Sequence, residues 1–297
     1  MRRIEGVAYS ATEGGRGYKL SRQLEKGYLT EQELITERDN LLKGTVGKSF
    51  VDALKYLVNN SRNPFEKLLA TNIVKLVQRM ESAGFNFDYK ILDVRGNIQP
   101  QGFQGLTTVT NNNVVVSLAA TNDALARDNG VNHQTLLHEA VHAVTLAATG
   151  AARRGRLPDD IKLKQDIKDL FNLFDAVKSY FNSQIAELDA GRVSEEELHP
   201  IVSTYSKRST TGSPNFLTNG DELLAWGLTD SEMQDFLDTV AYNPRTGEVG
   251  VEGKGTITLW EALVNALRKL LKLPPKDNTA LNELLRVQNN LLAPDEA

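Results

Sequence analysis

The chain is predicted to be an α+β protein, mainly helical with one small sheet, on three observations. Apolar residues recur at helical spacing over most of its length. Between residues 85 and 121 that spacing gives way to β-branched runs separated by an Asn-rich turn. Directly after them comes a segment, 132–149, with apolar residues on nearly every side of a helical axis. Helices flanking a short sheet make an α+β arrangement.

In chain order, residues 1–27 are rich in Gly and charge and are expected to be irregular. Helical periodicity runs over Thr30–Leu42 and Ser49–Asn59, and Pro64 suits the first turn of a third helix ending near Ser82. FNFDYKILDV reads as a strand, and GLTTVT-NNN-VVVSLAAT as two more. Helix returns at 132–149, with Asn132 as N-cap and Gly150 as the residue past the C-terminus. A further helix spans about Pro158–Ala190, with Ile167, Leu170, Phe171, Phe174 and Val177 as its stripe. Residues 191–220 read as loop, followed by helices at 221–241, 257–273 and 277–292, with a Gly-rich turn at 243–256. The expected division is a helical N-terminal region, 1–84, and a domain, 85–297.

Composition narrows the function classes. A net charge of −4 and a pI near 5.7 ask for no nucleic-acid or membrane partner. The short Arg153, Arg154, Arg156 cluster reads as a solvated loop. With no cysteine, disulfides, thiolate metal sites and Cys nucleophiles are excluded. The N-terminus has positive charge but no apolar core of a secretory signal, and no run approaches a membrane span, so a soluble protein is expected. Gly44-Thr45-Val46-Gly47-Lys48-Ser49 resembles the end of a phosphate-binding loop, but Leu42 stands where the motif needs Gly and no buried strand precedes it.

The chemistry concentrates in TLLHEAVHAVT. His138 and His142 share one helical face, about 40° apart, with Glu139 at its margin. Leu136, Leu137, Ala140, Val141, Ala143, Val144, Leu146 and Ala147 make the rest of that helix hydrocarbon. Burying three ionisable groups there is costly unless they are paired or bind a metal. Neutral imidazole is a preferred zinc ligand, and HExxH is the spacing at which two histidines hold Zn²⁺ beside a general base. One zinc per chain is expected, and His133, on the opposite side of the helix, is expected at the surface.

A catalytic zinc needs a third protein ligand. The compact HExxHxxGxxH form is absent, since AVTLAATG follows His142. Downstream stand His199, Glu222 and other acids; Glu222, in NGDELLAWGLTD, is favoured over Asp221. Asn219 to Glu222 also has the spacing of a capping box, which would leave that glutamate without a metal.

TLLHEAVHAVT, NGDELLAWGLTDSEMQDFL and LWEALVNALRKLLKLPPKDNTALNELL together resemble the HExxH, gluzincin-like zinc peptidase domains of large phage-encoded proteins, including the polyvalent type. The resemblance implies a zincin-like fold, zinc ligation by His138, His142 and Glu222, and Glu139 as base. It implies a protein or peptide substrate, and a virion or an infected-cell cytoplasm as location. That pattern often has a second acid four residues after the first, where this chain has Trp226, and residues 1–84 have no counterpart in it. His199 and Tyr205 are candidates for stabilising the oxyanion of peptide hydrolysis. Val114–Leu118 is expected as an edge strand able to hold an extended peptide, or else as a plain core strand. The alternative to an enzyme is a non-catalytic zincin-like scaffold serving as a virion or interaction component.

Overall fold

The computed structural model describes residues 7–9, 30–93, 104–121, 130–153, 161–206, 217–218 and 220–270. The chain divides into two compact units, Met1–Leu157 and Pro158–Ala297. Residues 30–84 share a unit with the sheet and the HExxH helix.

Three helices open the first unit: α1 (Glu31–Thr45), α2 (Phe50–Asn60) and α3 (Pro64–Ser82). Thr30 and Glu33 cap α1 reciprocally, which satisfies two of the amide donors that a helix start leaves open. Ser49 caps α2 by accepting from the Asp52 N–H. Gly44 and Thr45 thus close one helix while Ser49 opens the next, so the phosphate-loop likeness ends in two ordinary helix termini.

The sheet has four strands in the order β1-β3-β4-β2: β1 (Val7–Tyr9), β2 (Asn86–Asp93), β3 (Gly105–Thr110) and β4 (Asn113–Ala120). β3 and β4 form a hairpin through Asn111 and Asn112; Asn111 has φ 57°, a left-handed conformation that asparagine tolerates better than most side chains. β4 pairs with β2 in parallel and with β3 antiparallel, so it is an interior strand and not the expected edge. Its Val114, Val116, Leu118 and Ala119 are wholly buried, as the core-strand reading requires. On the other side of β3 lies β1, a strand within the stretch expected to be irregular.

Helix α4 (His133–Arg153) packs on β3, β4 and α3. Asn132 caps it, its Oδ1 accepting from the Thr135 N–H at 2.7 Å. The helix passes through Gly150 and ends at Arg153, four residues later than expected. Every residue from Thr135 to Thr145 is buried, so the all-round apolar pattern does mark an interior helix.

The second unit contains α5 (Ile161–Asp189), a 3₁₀ turn at Glu195–Glu197, α6 (Pro200–Ser206), α7 (Gly220–Thr229) and α8 (Ser231–Thr239). A two-residue ribbon of β5 (Ala241–Tyr242) and β6 (Ile257–Thr258) then leads into α9 (Leu259–Leu270). Among the described residues the expected loop at 191–220 thus holds a 3₁₀ turn and a seven-residue helix, and the expected helix at 221–241 is two helices broken at Asp230. Asp230 caps the second by accepting from the Met233 N–H. Helix α9 packs on α5, α7 and α8. The packing there is close: a Cβ at Gly227 would stand 2.2 Å from Leu263 Cδ2, so that leucine would have to shift. The helix expected at 277–292 lies outside the described residues, as does the arginine cluster apart from the backbone of Arg153. Among the described residues no helix is long and apolar enough to cross a membrane.

His133 departs from expectation. It is buried, 8% exposed, and its Nδ1 lies 3.4 Å from Glu66 of α3 and 3.7 Å from Glu37 of α1. Its backbone N–H donates to Glu37, and the Tyr56 ring meets its edge. Burial disfavours the imidazolium, but the hydrogen bond to Glu66 and the charges of Glu37 and Glu66 outweigh it and raise the pKa above 6.5. Burial also raises Glu37 above 4.5. A raised folded value means that the His133 contribution is complete below about pH 6.5 and is lost as pH rises through the folded pKa. The shift at Glu37 acts in the same direction from lower pH. Melting of wild type and His133→Gln should therefore show the widest gap near pH 6 and a narrowing gap toward pH 8.5. A gap constant over that range would contradict the pairing.

Candidate metal centre

On α4, residues four apart stand one above the other, so His138 and His142 point the same way. Their Nε2 atoms are 3.2 Å apart, with ring planes at 76°. Both side chains are 0% exposed. Two nitrogens bound to one tetrahedral zinc at about 2.0–2.1 Å are separated by roughly 3.3 Å, so the observed spacing fits a shared cation. Neutral imidazoles aim lone pairs at one point there, which is the donor chemistry that zinc takes.

Glu222 lies in α7, a helix buried from Gly220 through Leu228. His138, His142 and Glu222 each offer one ligand atom, and these atoms all lie within 4.8 Å of one another. This buried His, His, Glu group could hold a metal ion. Asn219, the partner in the capping-box alternative, lies outside the described residues. Asp221 is also buried but is not in the group, and Trp226 is buried in the interior of α7.

Glu139 is fixed by strand β3. Inward positions of that strand are Gly105, Thr107 and Val109. The Thr107 hydroxyl lies 2.6 Å from Glu139 Oε2 and 3.0 Å from the Glu139 carbonyl oxygen. Its single proton serves the shorter contact best, because a carboxylate is the stronger acceptor. A Cβ at position 105 would come within 2.6 Å of Glu139 Cγ and 2.7 Å of Oε1. Only glycine leaves the carboxylate its place. Neither residue is conspicuous in GLTTVT, yet a glycine and a threonine at inward positions of a β-branched strand are the trace that a polar group lies opposite.

The two oxyanion candidates differ in what can be said of them. His199 precedes α6; its ring is 5.4 Å from the Phe236 ring, and its Nδ1 accepts from the Ile201 N–H at 3.3 Å. It is not part of the metal-ligand group. Tyr205 lies in α6, and its side chain is outside the described residues.

No family model, no curated protein and no solved structure matches this chain. The functional reading therefore rests on the residues themselves.

A ligand that binds only the folded state stabilises it by RT ln(1 + L/Kd), with L the free ligand concentration. Free Zn²⁺ about a thousandfold above its Kd should raise the melting temperature of the wild type by on the order of 10 °C. His142→Ala should lose that rise, and chelation should reverse it. An equal rise in both proteins would place the zinc elsewhere.

Proposed function

We propose that this chain is a zinc-dependent endopeptidase on a zincin-like fold, acting on a protein or peptide substrate. The observation that carries the reading is the pair of imidazole nitrogens 3.2 Å apart, beside a buried carboxylate held in position by Thr107. His138, His142 and Glu222 are the residues that would hold the ion. Support for the fold comes from a sheet against which the HExxH helix packs through β3 and β4.

When bound, zinc would polarise a water and lower its pKa toward neutrality. The remaining steps belong to the chain. Glu139 accepts the proton as the water oxygen attacks the peptide carbonyl, and then delivers it to the departing amine. Thr107 holds one carboxylate oxygen and so fixes how Glu139 is presented. Burial of all three HExxH side chains shields this proton transfer from bulk solvent.

Two variants test the assignment. Glu139→Gln should retain zinc and lose about 10²- to 10⁴-fold in cleavage of an unfolded protein substrate, the usual worth of a positioned base. Unchanged cleavage in that variant would remove Glu139 from the chemistry. Absence of cleavage by the zinc-loaded wild type would leave a metal site that is structural only. Gly105→Ala should keep zinc too, yet displace the carboxylate and reduce kcat about a hundredfold, as a misplacement near 1 Å does. Wild-type kcat in Gly105→Ala would contradict the placement of Glu139 against β3.

A further inference from the structure

Strand β3 has two neighbours. β4 takes one of its edges along the whole strand, and β1 takes the other, with three residues among those described. The register is antiparallel, with Val7 opposite Thr108, Ala8 opposite Thr107 and Tyr9 opposite Leu106. Thr107 is the residue that holds Glu139, and Gly105 is the residue that makes room for it. Backbone laid along this edge of β3 therefore runs past the catalytic carboxylate of the proposed peptidase. An extended peptide can dock on such an edge through main-chain hydrogen bonds alone.

We propose that the outer edge of β3 is the seat for an extended peptide segment, and that Val7–Tyr9 is the chain's own occupant of it. The N-terminal segment acts as an internal competitor, and peptide enters by displacing it. Among the described residues the β1 ladder spans Val7–Tyr9, and a longer strand pairing along all of Gly105–Thr110 would exchange with it. The connection to activity rests on the peptidase reading above; the occupancy of the edge does not.

The test uses the full-length chain. Val7→Pro/Ala8→Pro removes a ladder donor whichever of the two N–H groups faces β3. A fluorescein-labelled synthetic peptide of residues 1–13 should bind this variant at least about tenfold tighter than it binds wild type, in which the seat is filled. The same peptide carrying both prolines should not bind. With zinc content unchanged, the variant should also turn over a fluorogenic peptide several-fold faster than wild type.

A second variant reads the same point without weakening the sheet. The chain has no cysteine, so Val7→Cys/Thr108→Cys places one cross-strand pair alone. Its oxidised form should be inactive and should regain turnover on reduction. Equal peptide binding by wild type and the proline variant, or none by either, together with an active oxidised cysteine variant, would overturn the proposal. Peptide capture by the proline variant without hydrolysis by any zinc-loaded form would sustain the occupancy and sink the peptidase reading instead.

Discussion

Removing two imidazoles and a carboxylate from water within little more than one helical turn is the constraint around which the first unit is arranged. Uncompensated, each of these groups costs free energy on burial. A direct contact between the two Nε2 atoms satisfies only one nitrogen as donor and one as acceptor, and depends on the tautomer. A divalent cation uses both lone pairs at once. The strand opposite is shaped by the same demand. Thr107 supplies a donor where β3 could carry another valine, and Gly105 gives up its side chain so that Glu139 fits.

Helix α4 contains a useful internal contrast. His133, at its first turn, is compensated by carboxylates on two other helices, Glu37 and Glu66. That arrangement favours the imidazolium and suits a group that binds a proton. His138 and His142, one and two turns further on, face one another across 3.2 Å. Two like charges at that separation would repel, so the arrangement suits neutral rings and a cation between them. One helix thus buries histidine in two chemically opposite ways, and only the second fits a metal.

Much of this was legible in the sequence because it is local. The Asn132 cap, the all-round burial of α4 and the convergence of His138 and His142 follow from spacing along one helix. The β3–β4 hairpin followed from its Asn-rich turn. What the sequence hid depends on distant pairing. Glu37 lies 96 residues from His133, and no pattern near either residue announces the other. Between an edge and a core position for β4 the local pattern does not decide, because strand order is set by which partners arrive on each side, and Val7–Tyr9 carries no periodicity of its own. The break at Asp230 was also missed, although an aspartate ahead of Ser231 and Glu232 is a serviceable cap. The favoured third ligand, Glu222, is buried in a helix whose burial its leucines foreshadow.

The central claim is that the two HExxH nitrogens share a cation. Zinc X-ray absorption on the protein loaded with one equivalent reads this directly. The account predicts a four-coordinate site with two histidine nitrogens and two oxygen donors at about 2.0–2.2 Å, and loss of the imidazole signature in His138→Ala/His142→Ala. A spectrum of six oxygen donors with no imidazole scattering, or one unchanged in the double variant, would contradict it.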